Sequence, residues 1–275
     1  MAEQAAVERS GAPVTTDSLA HDLRALGLQP GMTVLMHCSL SALGWVCGGP
    51  VAVLQALERA LGPQGTLITP AFSTGLSEPS LWRNPPVPPS WWDSIRATMP
   101  AYDPAVTPTR NMGAVVECFR TWPCTRRSAH PQLSFAARGP QAEAILDGHA
   151  LDHPLGERSP LARIYERGGW VLLLGVGHGN NTSLHLAEQR ADYPGRQVVR
   201  QGAPVLADGR RRWATFEMID PDDSDFEMLG ADFARETGLE RAGPAGAGQA
   251  RLMPQRALVD FGVAWLAGHR TASAP

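Results

Sequence analysis

Apolar residues recur along this chain in two rhythms, and their alternation predicts an α/β fold. Leu19, Leu23 and Leu26 fall at helical spacing after a cap at Thr16 or Asp17, and Gly27 ends the run. Met32 to His37 is a short apolar stretch with the character of a buried strand. Pro50 then opens a helix carrying Val51, Val53, Leu54, Leu57 and Leu61, closed by Gly62, and Thr66 to Thr69 reads as the next strand. Strand, helix and strand in close succession make a βαβ unit, so a largely parallel central sheet flanked by helices is expected.

From Phe72 to Pro108 the periodicity fails. That segment holds eight of the 24 prolines and three of the eight tryptophans. A long irregular insert in a compact domain is usually a functional element or disordered, and the tryptophans favour an ordered binding wall. Regular patterns resume afterwards. Gly113 to Arg120 reads as a helix or strand end, Gly139 to Ile145 as an amphipathic helix, and Trp170 to Leu174 as a buried strand. Short strands are expected around Gln197–Arg200 and Arg212–Phe216, a helix from Asp225 to Thr237, a strand near Arg251, and a terminal helix from Ala257 to Ala267. No internal repeat or linker divides the pattern. It predicts a single domain over residues 15–270, preceded by a flexible segment at residues 1–14.

Composition narrows the class. At 43% apolar and 19% charged residues the 275-residue chain is ordinary for a globular protein. No apolar run is long enough to cross a bilayer, and the first residues lack a signal core, so a cytoplasmic location without membrane partners is expected. All 24 basic residues are arginine. Without lysine, neither a Schiff-base lysine nor a phosphate-loop lysine is available. A net charge of −3 with no basic cluster argues against nucleic acid. Cys38, Cys47, Cys118 and Cys124 lack the close spacing of a zinc knuckle or redox pair, so no metal site is expected, and Cys38 and Cys118 read as buried thiols. Between Glu217 and Glu227 stand six acids and no base. Such a run is either a solvated face or a seat for a cationic ligand.

The densest chemistry lies between Leu172 and Glu188. An apolar strand breaks into a glycine-rich turn and enters a helix at Asn181 or Thr182, the arrangement from which α/β proteins build sites. His185 falls in the first helical turn, where the helix dipole disfavours positive charge on the imidazole and suits it to act as a general base. Glu188 sits three residues on, on the same face. The alternative reading is a Rossmann-like turn with a satisfied buried histidine. A dinucleotide fingerprint would need glycine at position 180, where this chain has Asn180. A second loop, His37 to Pro50, offers Ser39, Ser41, Gly44, Gly48 and Gly49 to a pyrophosphate or a chain of amides, or is simply a capped turn. Arg110, and Arg126 and Arg127 with His130, stand in further turns.

Taken in order, these segments resemble the aminoglycoside 3-N-acetyltransferase family, also called antibiotic N-acetyltransferases. The matching residues are His37-Cys-Ser-Leu-x-x-Leu-Gly-x-x-x-Gly-Gly49, Leu81-Trp-x-Asn-Pro-Pro-x-Pro-x-x-Trp-Trp92 and Asp103-Pro-x-x-Thr-Pro-Thr-Arg-x-Met-Gly113. Arg127-Ser-x-His-Pro131, Gly156-Glu-x-Ser-Pro160 and Asn181-Thr-Ser-Leu-His-Leu-Ala-Glu188 continue the match, which spans roughly residues 16–265. Cys124 departs from a usual glycine and Gly75 from a common acid, the latter in the wall that would face the antibiotic.

The resemblance implies an α/β fold distinct from the GNAT superfamily. It also implies transfer of acetyl from acetyl-coenzyme A (acetyl-CoA) to the 3-amino group of a 2-deoxystreptamine aminoglycoside, an activity that confers resistance. The family's histidine base maps onto His185; from the chemistry of the residues themselves, Glu188 or another acid stabilises the imidazolium that forms. The coenzyme loops map onto residues 37–44 and 110–115, placing His37, Cys38, Ser39, Leu40, Leu43 and Gly44 on one bank and Arg110, Met112, Gly113 and Val115 on the other. The polycationic antibiotic requires carboxylates, for which Glu78, Glu217, Asp222 and Asp223 are the candidates. The competing expectation is a catalytically silent protein that binds coenzyme A or the drug. The oligomeric state is left open.

Overall fold

Strand β1 (Thr33–Cys38) is buried through its middle and lies near the centre of the sheet. Its side chains alternate, so Val34 and Met36 enter one apolar core while Leu35 enters the other. The computed structural model describes residues 2–270. A seven-stranded sheet runs in the order β3-β4-β2-β1-β5-β9-β8, with β2 at Thr66–Pro70, β3 at Arg126–Arg127, β4 at Phe135–Arg138, β5 at Trp170–Leu174, β8 at Arg241–Ala245 and β9 at Gly248–Pro254. Helices α2 (Thr16–Leu26), α3 (Gly49–Leu61) and α5 (Gly113–Arg120) contribute to one core. Helices α6 (Ala142–Leu146), α7 (Pro160–Glu166), α8 (Ser183–Arg190), α9 (Phe226–Thr237) and α10 (Gln255–His269) contribute to the other. This is a helix–sheet–helix sandwich, with α4 (Trp92–Thr98) lying in the insert.

The predicted βαβ unit is present: β1, α3 and β2 follow in order, and β1 pairs in parallel with both β2 and β5. Within the seven-stranded sheet, parallel pairing is confined to those three strands. β4 on β2, β3 on β4, β9 on β5 and β8 on β9 are all antiparallel, so the sheet is mixed. The antiparallel flanks are short or rich in arginine, glycine and proline, and carry no clean apolar alternation to announce them. The two short strands expected after Pro194 are one long hairpin outside the main sheet, β6 (Val198–Ala207) on β7 (Arg210–Ile219).

The N-terminal segment differs from the expected flexible stretch. Residues 2–9 form helix α1 (Ala2–Arg9), while Met1 lies outside the described residues. Arg9 donates to the Ser41 carbonyl at 2.8 Å, the Ser10 hydroxyl accepts from the Trp45 N–H at 2.7 Å, and Val14 forms a parallel bridge with Val46. These are long-range anchors, which a stretch whose apolar residues are mostly alanine does not advertise. The cap of α2 is Thr15, in a reciprocal box with Ser18, one residue before the expected position. No helix among the described residues is long and apolar enough to cross a membrane.

Candidate active site

The carboxyl ends of β1 and β5 open onto a cleft of about 860 Å³. Its wall takes in His37 and Cys38 at the end of β1, Ser39, Leu40 and Gly44 from the loop that follows, Met112 and Gly113 at the start of α5, and Gly175 and Thr182 after β5. Phe72, Trp45 and Val176 supply apolar surface, and Glu3 and Ala6 of α1 complete one side. The first turns of α3 and α5 reach the cleft through Gly49, Gly113 and Ala114, and neither helix start is capped by a side chain. Free N–H groups at two helix N-termini favour an anionic ligand without any lysine. Gly44 and Gly113 adopt φ of 85° and 80°, a region open mainly to glycine, which explains the residue type at both turns.

At one edge of this cleft β5 turns through residues 175–182 into α8. His185 lies in the first turn of α8, and its Nδ1 is 2.9 Å from Glu188 Oε2. A carboxylate only accepts, so Nδ1–H donates to it and Nε2 keeps the free lone pair. Glu188 is 1% exposed, and His185, at 14%, packs its ring 4.9 Å from that of Phe226. His37 lies on the cleft side of this pair. Its Nε2 accepts the Thr182 N–H at 3.3 Å, and burial, followed by the proximity of His185, pushes it down to about 3. His37 is therefore an uncharged acceptor that seats the head of α8. Burial pushes the Cys38 thiol up to about 12, so the sulfur in the cleft wall is not a thiolate near neutral pH.

A second histidine–carboxylate contact stiffens the same turn. His178 Nε2 donates to Glu240 at 2.7 Å, both side chains are buried, and Arg251 lies 3.2 Å from the other Glu240 oxygen. Gly230 of α9 lies directly against the His178 ring, where a Cβ would come within 2.0 Å. The Gly179 N–H is held by Glu227 at 2.8 Å. Among the described residues no three His, Cys, Asp or Glu side chains gather into a metal-ligand set.

Comparison with known proteins places this arrangement. The family model described as aminoglycoside 3-N-acetyltransferase matches residues 35–267. The chain belongs to the aminoglycoside 3-N-acetyltransferase family. The SPbeta prophage-derived aminoglycoside N(3')-acetyltransferase-like protein YokD of Bacillus subtilis is 44% identical over 260 residues, 94% of each chain. Aminoglycoside N(3)-acetyltransferase VII of Streptomyces paromomycinus is 41% identical, covering 97% of this chain and 96% of its own. The crystal structure of YokD superposes with a TM-score of 0.95 at 42% identity, over 98% of this chain and 100% of that one. AAC-IIIb in a binary complex with CoASH gives 0.84 at 33% identity, over 96% and 100%. AAC-VIa bound to sisomicin gives 0.85 at 34% identity, over 95% and 100%. The α/β class expected from the sequence holds for this chain.

Within that family fold, several expected site residues do not line the cleft. Leu43 and Val115 are fully buried in the core. Arg110 is exposed outside the lining, with its backbone N–H on the Phe72 carbonyl at 2.8 Å. Glu78 is not a free carboxylate: Arg96 lies 2.5 Å away, and Ser80 donates to it through both hydroxyl and N–H. Burial pushes its carboxyl up, but the Arg96 and Ser80 bonds outweigh this and hold it below the usual range. Glu217 is exposed on β7, away from the dyad contacts, and Asp223 is exposed on the following loop. Asp222 alone of the four meets the dyad, its N–H donating to Glu188 Oε1 at 3.2 Å. Hydrogen bonds from Ser224, then the charges of Arg270 and His185, hold its carboxyl low. Among cleft residues, Trp45, Phe72, Val176 and the α1 contribution were not anticipated. Only the glycines flanking Trp45 and Val176 hinted at their position.

Proposed function

We propose that this chain transfers acetyl from acetyl-CoA to the 3-amino group of a 2-deoxystreptamine aminoglycoside by direct attack in a ternary complex, with His185 as general base. The carrying observation is the His185–Glu188 pair at the head of α8, with Nε2 free and the cleft beginning at Thr182. Acetyl-CoA supplies an activated acyl thioester. The cleft fits it in kind: glycine-lined loops and two uncapped helix N-termini suit phosphates, and Phe72, Met112 and Val176 suit a pantetheine arm. His185 Nε2 takes a proton from the attacking amine, whose nitrogen bonds to the acyl carbon as the carbon–sulfur bond breaks. Glu188 holds the imidazole in the required tautomer and balances the charge it acquires, and the proton then passes to the departing sulfur. A covalent route through Cys38 is disfavoured: the side chain is half-buried in the cleft wall rather than sealed in the core, but desolvation keeps its thiol protonated.

The polycationic drug approaches from the side of the 220–225 loop, where Asp220, Asp222 and Asp223 are exposed. The test is thiol release from acetyl-CoA in the presence of gentamicin, kanamycin, tobramycin or amikacin. Release that depends on the drug is expected. No release with any of them, alongside measurable binding of coenzyme A or drug, would leave the silent binding protein as the correct reading.

A further inference from the structure

The carboxylate behind His185 is held by a cation 82 residues away in sequence. Arg270 follows the last turn of α10 and brings three segments together. Its Nη1 donates to Glu188 Oε1 at 2.6 Å, while Nε and Nη2 donate to the two carboxylate oxygens of Asp225 at 2.9 and 2.7 Å. Nη2 also donates to the Asp222 carbonyl at 2.6 Å. The guanidinium lies over the ring of Tyr193 at 5.0 Å and near that of Phe226 at 5.9 Å, the ring against which His185 packs. Glu188 Oε1 further accepts from the Asp222 N–H at 3.2 Å and the Tyr193 hydroxyl at 3.4 Å. That oxygen is saturated, and only Oε2 remains for the imidazole.

We propose that Arg270 is a positioning residue for acetyl transfer: it balances the buried charge of Glu188, turns Oε2 toward His185, and ties the 222–225 loop beside the base. The physical case has three parts. A carboxylate 1% exposed needs a charged partner, and Arg270 is its only ion-pair partner among the described residues besides His185 itself. A planar fork spans two carboxylates at fixed angles where an ammonium does not. The support beneath it is rigid, because Gly262 lets α10 approach α8 closely, and a Cβ there would meet that of Ala187 at 2.9 Å. Burial pushes the guanidinium down, but its bonds to Asp225 and Glu188 more than reverse this, so it stays charged. By joining Glu188 to the acidic loop, Arg270 makes the placement of the base and of the drug-facing carboxylates one structural event.

The inference rests on the assignment of His185 as base, and His185→Ala in the otherwise native protein tests that assignment separately. Arg270→Gln and Arg270→Lys are to be made alone and with Glu188→Gln, each checked by thermal melting and assayed by thiol release. In the native background Arg270→Gln should lower kcat about tenfold or more and leave KM for acetyl-CoA within about twofold, since the lost contact acts through the base. Arg270→Lys keeps the charge but loses the fork, and should cost about threefold. With Glu188 already changed to Gln, either substitution should alter kcat by less than about twofold, because the carboxylate charge that Arg270 balances at position 188 is already gone. An equal loss in both backgrounds marks a merely structural role and overturns the proposal, as does native kcat in Arg270→Gln. If Arg270→Gln does not fold, the Arg270→Lys pair decides by the same criteria.

Discussion

Replacing His185 by alanine separates catalysis from stability, and the geometry sets both magnitudes. The side chain makes one hydrogen bond, to Glu188, and packs one ring face on Phe226. Its loss leaves Glu188 Oε2 without its imidazole partner, while Oε1 keeps the bonds from Arg270, Asp222 and Tyr193. The stability cost should be about 1–3 kcal/mol, the usual range for one buried polar group left unpaired. In a domain of this size that lowers Tm by a few degrees, roughly 2–4 °C per kcal/mol, so the variant remains folded at 25 °C. A lost general base costs about a hundredfold to ten-thousandfold in kcat, roughly 2.7–5.4 kcal/mol of barrier. His185 is not part of the cleft wall, so KM for acetyl-CoA should hardly move. Thiol release at saturating drug and coenzyme, with melting curves on the same samples, measures all three quantities. Near-native kcat would refute the reasoning and move the base off α8. His37 and His130 are poor replacements. His37 Nε2 already accepts the Thr182 N–H, and His130 spends Nδ1 on the N–H groups of Gln132 and Leu133 and Nε2 on the Leu151 carbonyl.

Four further outcomes are expected. Cys38→Ser should keep kcat within a few-fold, and an inactive but folded variant would revive a covalent cysteine route. Asp222→Asn should raise KM for the antibiotic more than Glu217→Gln does, and added salt should raise it in the native protein, since exposed charges are screened over about 8 Å at physiological ionic strength. Equal KM values across these variants and salt concentrations would reduce the acidic run to a solvated face. Burial holds His37 and His130 down to about 3 and His149 to about 4 in the folded chain. On acidification the unfolded chain takes up protons that the folded one refuses, so stability should fall between about pH 6.5 and pH 4, by up to roughly 4 kcal/mol per pH unit; urea midpoints that stay flat over that window would contradict it. Gly230→Ala forces a methyl into the His178 ring and should cost about 1–3 kcal/mol or more, seen as a lowered Tm.

What the sequence made legible was local. The strand, turn and helix of residues 170–190, the i, i+3 relation of His185 and Glu188, and the βαβ unit from β1 to β2 all depend on neighbours within a few residues. Periodicity and spacing report such neighbours directly. Helix α1 was hidden because its apolar residues are three alanines and one valine, too small to mark a core-facing stripe, and the anchors of this segment at Ser41 and Trp45 lie more than 30 residues away. The antiparallel flanks were hidden for a related reason. β3 is only Arg126–Arg127 and β8 is Arg-Ala-Gly-Pro-Ala, so hydrogen bonding to a neighbour, not side-chain pattern, makes them strands.

Charge counting fails in a different way, and the acidic run shows how. Six carboxylates between Glu217 and Glu227 look equivalent along the chain. In the fold Asp225 is bound by Arg270, Glu227 is bound by the Gly179 N–H, and Glu217 points from a hairpin strand. Glu78, outside the run, is taken by Arg96. A cationic substrate can use only carboxylates that are both exposed and near the reacting centre. That condition leaves Asp222, whose side chain is 56% exposed and whose backbone touches Glu188, with Asp220 and Asp223 beside it. Asp222 and the Glu188 carboxylate bonded to His185 thus both contact a single arginine, Arg270. Composition cannot distinguish a free carboxylate from a paired one, because the pairing cation comes from a distant turn of the chain.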